Sequence, residues 1–377
     1  MTPEVVVVGA GPVGLAVAIG LRLHGHEVVV VDKQAEGTNA SRACVIHPRT
    51  LEMLDELGAT KTLVDRGLPL ADFAVRDGDR RLVPVGFGEL PTPYPFILMI
   101  PQYQTEQVLL ARLEELGGSV RRPSTAVGVQ QSADGVEVTL DDGEVIRAQY
   151  VVAADGMNSV VRELAGIRMP GNTLELSCSL ADVRVDGGLP VDEVALYFAP
   201  AGLLVVAPLP DGSFRLVAEV SDAPEHPDVA YAQRLLTARG PHKGQPKVTE
   251  VVWGSRFRIH ERVADEYRAG RVVLAGDAAH THSPAGGQGM NLGLRDAVTL
   301  ADALSTALHG DESDLDAYAV NARAEAVRVI GLAHRLTRLA NLPKPVRPVR
   351  NAVLRLAGMM SKTQQGLAKQ LAGFPER

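Results

Sequence analysis

The sequence predicts an α/β fold in which a doubly wound parallel sheet is interrupted by an antiparallel one. Three observations predict it. Val5–Val8 is a continuous β-branched run that feeds a glycine-rich turn, as a strand buried on both faces of a parallel sheet does. Buried runs of the same type return at Val151–Ala154 and Arg271–Gly276. Between these two, over residues 170–268, short runs such as Ala195–Phe198, Leu203–Pro208 and Arg215–Val220, set apart by turn residues, suggest an antiparallel sheet.

Each element follows in chain order. Gly9-Ala-Gly-Pro-Val-Gly14 makes the first turn, Leu15 to Leu23 reads as a helix closed by Gly25, and Glu27–Val31 is a second buried strand ending at Asp32. Strand, helix and strand form one βαβ unit. Pro48 to Leu57 sets Leu51, Leu54 and Leu57 at helical spacing. Residues 69–100, rich in Pro, Gly and Phe/Tyr, read as strands and loops. Gln104–Leu116 is a helix closed by Gly117-Gly118, Val127–Leu140 is a strand pair, and a helical segment runs from beyond Asp155-Gly156 to Ala165. Long helices are expected over Gln288–Leu308 and Leu315–Leu339.

Composition removes several classes. The 377 residues suit two to three domains of about 150 residues each. A hydrophobic fraction of 46% with 22% charged residues excludes wholesale disorder. Cys44 and Cys178 cannot build a disulfide scaffold or a cysteine zinc site, and they point to a reducing compartment. A net charge of −7 argues against a nucleic-acid binder. The charge is uneven: nine Lys/Arg against one acid from Arg335 to Arg377 leave that tail at +8 and the preceding body at −15. Val5–Leu21 carries no charge over 17 residues, but Gly9, Gly11, Pro12 and Gly14 inside it suit a turn better than a spanning helix. A soluble, cytoplasmic protein without a membrane span is expected.

Three motifs carry chemistry. In Gly9-x-Gly11-x-x-Gly14, the first glycine permits the tight turn, the second lets backbone approach a pyrophosphate, and the third lets helix pack on strand. The helix start offers unpaired N–H groups to the phosphates, and Asp32 stands where an acid accepts from ribose hydroxyls. This predicts a bound dinucleotide without separating FAD from NAD. The second motif, Asp155-Gly-Met-Asn-Ser159-x-x-Arg162, opens a helix, and Ser159 or Asn158 suits its N-cap; a capped turn with Asp155 bonded to nearby backbone explains it equally well. The third, Gly276-Asp277-Ala-Ala-His280 followed by Pro284-Ala-Gly-Gly-Gln-Gly-Met-Asn291, brings an acid to the carboxyl edge of the parallel sheet and then opens a helix toward the same crevice.

This ordered set resembles the single-component FAD-dependent aromatic monooxygenases, the para-hydroxybenzoate hydroxylase-like fold, over residues 1 to about 340. Ser41-Arg-Ala-Cys-Val-Ile-His-Pro-Arg-Thr-Leu-Glu-Met-Leu54 and Pro101-Gln102 resemble its phenol and aromatic polyketide hydroxylase branch. The resemblance implies a Rossmann-like FAD-binding domain from residues 1–68, 101–169 and 269–308. It implies an antiparallel-sheet substrate domain from 69–100 and 170–268, and a C-terminal helical segment over 309–377. It implies that Gly9, Gly11, Pro12, Val13 and Gly14 hold the pyrophosphate and that Asp32 and Lys33 lie at the ribose. Arg42 and Gln102 would contact the middle of the cofactor, with Val127 and Asp155 beside it and Asp277 at the ribityl or pyrophosphate region. Gly287, Gly289, Met290 and Asn291 would present backbone to the isoalloxazine, and Pro284 would lie near its oxygen-reacting carbon. Asp32 stands where the family usually has Glu. The family often adds a thioredoxin-like domain after the C-terminal helices, and the remaining residues are too few for one.

The implied reaction is hydroxylation of an electron-rich phenolic or polycyclic aromatic by O2 and NADPH or NADH, through a flavin C4a-hydroperoxide. Its pocket would be largely aliphatic, with Tyr197, Phe198, Trp253 and Phe257 contributing. No residue stands out as catalytic acid or base. His280-x-His282 lacks the companions of a metal site, so no metal is expected. A paired-cysteine motif, a second GxGxxG and a Trp-x-Trp signature are absent, which argues against a disulfide reductase, a two-nucleotide reductase and a halogenase. A flavin reductase or dehydrogenase on the same scaffold and a non-catalytic nucleotide-binding module remain as alternatives. The specific substrate and the oligomeric state stay open.

Overall fold

The computed structural model describes residues 2–37, 43–283, 286–340 and 342–374. Among them, a six-stranded sheet runs in the order Arg268–Ala269, Val272–Leu274, Tyr150–Ala153, Val5–Val8, Val28–Val31, Val120–Arg121. All neighbours but the first pair are parallel. Val5–Val8 lies in the middle and is buried on both faces, as its unbroken valines require. The helix Pro12–Leu23 packs against Gln102–Glu115 and against Gln288–Leu308. It can approach the latter closely because Gly20 faces Ala301: a Cβ added at Gly20 would lie 2.5 Å from the Ala301 Cβ.

An eight-stranded sheet forms the second region, in the order His280–Thr281, Lys247–Val263, Gly171–Asp186, Phe214–Val220, Gly202–Pro208, Glu193–Ala199, Asp72–Asp77, Arg80–Gly86. It is antiparallel except where Glu193–Ala199 runs beside Asp72–Asp77. The two faces of this sheet have different covers. Tyr197, Leu204 and Leu216 face the helix Val229–Arg239, with its Ala232 and Leu236. Phe198, Leu196 and Leu203 face the opposite way, into a core shared with Val83, Val85, Ala340 and Leu371.

Several elements differ from the sequence reading. The Val127–Leu140 pair belongs to a three-stranded sheet completed by Val145–Ala148. The helix Val229–Arg239 and the long strand Lys247–Val263 had no clear signal. The first follows Pro224 and Pro227, and the second carries charges at alternate positions of a half-exposed face. The C-terminal segment forms Ser313–Ala340, Arg347–Gly358 and Ser361–Ala372. The last two pack on the edge strand Arg80–Gly86. Part of the basic tail thereby has a structural role. Arg350 is buried and donates to the carbonyls of Ala340 (2.8 Å) and Leu339 (3.1 Å), satisfying the end of the preceding helix.

Candidate functional site

The crevice lies at the carboxyl edge of the six-stranded sheet. Gly9 has φ +105°, and a Cβ there would sit 2.2 Å from the Ala154 carbonyl oxygen. A Cβ at Gly14 would sit 1.9 Å from the Gly9 carbonyl oxygen. Gly11 is different, because a Cβ there would meet no described atom within 4 Å. The first and third glycines are therefore fixed by packing, whereas Gly11 borders open space at the helix start. Gly11 is also the N-cap, with no side-chain cap, and Pro12 follows in the first turn. Asp32 accepts hydrogen bonds from the Ala10 N–H (2.6 Å) and the Gln34 N–H (2.8 Å). This pins the carboxylate at the lip of the turn with lone pairs to spare for a hydroxyl. Lys33 is exposed beside it, and Val127 is half exposed on the strand Ala126–Gln131.

Val13 joins the first motif to the third. Its side chain lies where a Cβ of Gly276 (2.9 Å) or of Gly293 (2.7 Å) would stand. Gly276–Ala278 is a short 3-10 turn after the strand Val272–Leu274, and Asp277 is its one exposed residue among buried neighbours. The helix Gln288–Leu308 then starts at Gly287, φ +65°, again with no side-chain cap, so the N–H groups of Gln288, Gly289 and Met290 face the crevice without intrahelical partners. The Asn291 side chain is committed elsewhere. Its Oδ1 accepts from the His47 N–H (2.7 Å), and its Nδ2 donates to the carbonyls of Val45 (2.9 Å) and Gly287 (2.8 Å). Asn291 thus ties the segment Val45–His47 to the helix start, and Gln102 holds the chain just before it by accepting from the Ala43 N–H (3.3 Å).

The second motif is a capped turn. Asp155 accepts from the Ser159 hydroxyl and from the N–H groups of Val160 (2.8 Å) and Val161 (3.3 Å), while Ser159 accepts from the Arg162 N–H (3.0 Å). Burial raises the Asp155 pKa. Arg162 reaches across to donate to the Ala278 carbonyl (3.1 Å), so this motif braces the turn that carries Asp277.

Four residues beyond the sequence expectations line the same region. His47 Nε2 meets the Gly286 carbonyl (3.0 Å) and His282 Nδ1 meets the Ser283 carbonyl (2.7 Å), so each of these nitrogens carries the proton. The other ring nitrogen of each is buried without a partner among the described residues. Burial lowers both pKa values to about 4, so both rings are neutral near pH 7. His282 Nε2 lies 3.8 Å from where a Gly289 Cβ would be. Arg122 donates to the Ala10 carbonyl (3.2 Å) and puts a positive charge beside the nucleotide turn. Arg215 comes from the eight-stranded sheet. It is buried, binds Asp182 through two bonds (2.7 and 2.8 Å), lies 5.7 Å from the Trp253 ring and donates to the Ala43 carbonyl (3.1 Å). Apart from the adjacent His282–Ser283 pair, these hydrogen bonds span 33 to 239 residues in sequence, and only the imidazole and guanidinium residue types hinted at them.

The aromatic residues expected at the substrate separate. Trp253 pairs in register with Asp182, and Phe257 with Cys178, so both share the Arg215 face. Tyr197 lies on the opposite face under the helix Val229–Arg239, and Phe198 is covered by Arg350, 4.9 Å from its ring. Arg42 and Pro284 lie outside the described residues. His280 and His282 do not converge: His280 Nε2 pairs with buried Asp296 (2.7 Å) under the stacked Tyr267 ring. Burial raises both the Cys44 and Cys178 pKa values, so neither thiol is poised as a nucleophile.

The cradle fits an FAD dinucleotide on its own geometry. It offers open space at Gly11, two uncapped helix starts facing one crevice, a pinned acid at the ribose position and buried ring nitrogens awaiting donors.

Residues 2–333 match the FAD binding domain family. Over 359 residues the chain is 37% identical to a 6-methylpretetramide 4-monooxygenase of Streptomyces rimosus, covering 92% of this chain and 64% of that protein. Over 339 residues it is 36% identical to a rifampicin monooxygenase of Streptomyces venezuelae, covering 87% of this chain and 69% of that one. The crystal structure of a p-nitrophenol 4-monooxygenase from Pseudomonas putida superposes with a TM-score of 0.87 at 27% identity, covering 100% of this chain and 99% of that one. The chain spans under two thirds of the length of the first of these relatives.

Proposed function

We propose, from the premise that the chain belongs to the FAD binding domain family, that it is an FAD-dependent monooxygenase. It hydroxylates an electron-rich aromatic, phenolic or of the polycyclic polyketide type, with NADPH or NADH and O2. One observation carries this reading: the glycine starts of Pro12–Leu23 and Gln288–Leu308 are brought together where Val13 packs against Gly276 and Gly293, and Arg215, paired with Asp182 beside Trp253 on the second sheet, donates to the Ala43 carbonyl just before the segment that Asn291 ties to the second helix start. A nucleotide store would need only the first helix start.

Bound FAD supplies electron transfer and oxygen activation. The protein's residues do the rest. Gly11 and the first turn of Pro12–Leu23 hold the pyrophosphate, and Asp32 the ribose. The N–H groups at Gly289 and Met290, with the helix behind them, favour negative charge at the ring. His47 and His282, kept neutral, add no opposing ionisation and present one bare acceptor each. The apolar residues Leu180, Val205 and Ala207 on the sheet face keep water out. On this reading the six-stranded region is the cofactor domain and the eight-stranded sheet the substrate domain, with boundaries near residues 69–100 and 170–268.

The test is mass spectrometry of products from phenols, naphthols and polycyclic polyketides, with FAD-loaded protein, NADPH and oxygen. One added oxygen atom in a substrate-dependent product supports the reading. NADPH oxidation without an oxygenated product would favour a reductase, and protein that binds no FAD would sink the proposal.

A further inference from the structure

The helix Arg347–Gly358 is held by one face. Arg350 points inward to the Ala340 carbonyl and the Phe198 ring. At Gly358 a Cβ would stand 2.4 Å from the Leu82 carbonyl oxygen, so only glycine lets the helix lie this close to the edge strand. These contacts fix its rotation. At 100° per residue, positions 349, 352, 353 and 356 then face away from the protein. Their occupants are Val349, Ala352, Val353 and Leu356, and Met359 and Met360 continue the patch. The five larger side chains are 58–74% exposed. An outward helix face is normally polar, and a contiguous apolar one marks an interaction surface.

Charge indicates what covers it. From Ala326 to Phe374 the chain carries nine Lys/Arg and no acidic residue. Arg355 and Lys362 are exposed at the border of the patch. Acids from other elements also stand near it, but Asp77 accepts from Asn351 (2.7 Å) and Glu89 from Gln365 (3.2 Å). An apolar stripe whose own segment contributes only basic charge suits the interface of an anionic bilayer, with the stripe at the acyl boundary and the cations at the phosphates. A second copy fits less well, because a two-fold contact would set these cations against their own mates with no acid in the segment to pair them. No helix among the described residues is long and apolar enough to cross a membrane, so the geometry is that of lying on one.

We propose that Val349, Val353, Leu356, Met359 and Met360, edged by Arg355 and Lys362, dock the protein on anionic phospholipid surfaces. The experiment is co-sedimentation of the full FAD-loaded chain with vesicles of phosphatidylcholine alone or mixed equally with phosphatidylglycerol. The parent sediments with the anionic vesicles, and Val353→Asp combined with Leu356→Asp lowers the bound fraction about tenfold while the flavin absorbance and melting temperature stay those of the parent. Added salt weakens the binding. No sedimentation with anionic vesicles, or equal sedimentation of the variant, overturns the proposal. A concentration-dependent dimer abolished by the same substitutions assigns the face to a second copy and also overturns it.

Discussion

The helices Pro12–Leu23 and Val160–Leu164 both follow a strand of the six-stranded sheet, yet their first turns are finished in opposite ways. Val160–Leu164 is closed by side chains, since Asp155 takes two N–H groups and Ser159 a third. Pro12–Leu23 has glycine at its cap and no side chain over its N–H groups. Glycine in place of a side-chain cap costs about a few tenths of a kcal/mol. Gln288–Leu308 omits one as well, behind Gly287. Among these three starts, the one closed by the chain's own acid serves the fold and the two at glycine leave their N–H groups to a ligand; Pro48–Glu56 and Gln102–Glu115 also begin without a side-chain cap, so it is the glycine at the start, not the missing cap alone, that sets the two apart. The contrast explains why Asp155, though part of a motif that resembles a cofactor signature, is spent on its own backbone.

The largest predicted effect breaks the uncapped side of this contrast. Gly14→Val places a branched side chain against the Gly9 carbonyl, so FAD retention is lost and stability falls by about 3 kcal/mol, measured by flavin absorbance after gel filtration and by urea unfolding. Retained FAD would mean that the turn yields. The second effect sits at the other uncapped helix. His47 and His282 titrate near pH 4 when folded and near 6.5 when unfolded. Above pH 6.5 both states are neutral and the full stability is present. As pH falls from 6.5 to 4, the unfolded chain gains protons that the folded chain refuses, so stability drops by about 2–3 kcal/mol per histidine. Urea midpoints at pH 7 and 4.5 measure it, and the slope flattens in a His47→Gln, His282→Gln double variant.

Smaller effects sharpen the comparison. Gly11→Ala and Asp277→Ala each weaken FAD binding about tenfold, with unfolding free energies within about 0.5 kcal/mol of the parent, because a Cβ at Gly11 meets open space and Asp277 is exposed. Unchanged affinity in Asp277→Ala removes it from the site. Asp155→Ala gives the reverse pattern, a loss of about 1 kcal/mol in stability with FAD affinity changed less than about threefold. If Asp155→Ala released FAD while folding normally, the division between ligand-serving and fold-serving helix starts would collapse.

The glycine turn, its strands and the helix Gln288–Leu308 were legible in the sequence because their signals are local: β-branched runs, a fixed glycine spacing and helical periodicity. The cross-links that finish the site were not. Nothing near His47 announces Asn291, and nothing near Arg215 announces Asp182, since each pair exists only after distant elements have packed. Strand parity alone separates Tyr197 from Phe198, as adjacent strand residues face opposite ways. The basic tail could be located by counting, but which of its residues turn inward depends on Phe198 and Leu82 in a different part of the chain.

Val13 stands in the space that side chains on Gly276 and Gly293 would occupy. Three positions spread over the chain therefore share one small volume, and their identities are tied in descent. A lineage that enlarged residue 276 or 293 would first need to shrink residue 13, and a single step in either direction would disturb the nucleotide turn and the Asp277 turn together. Related sequences should accordingly show the three changing jointly or not at all, with Val13→Ala as the permissive first substitution.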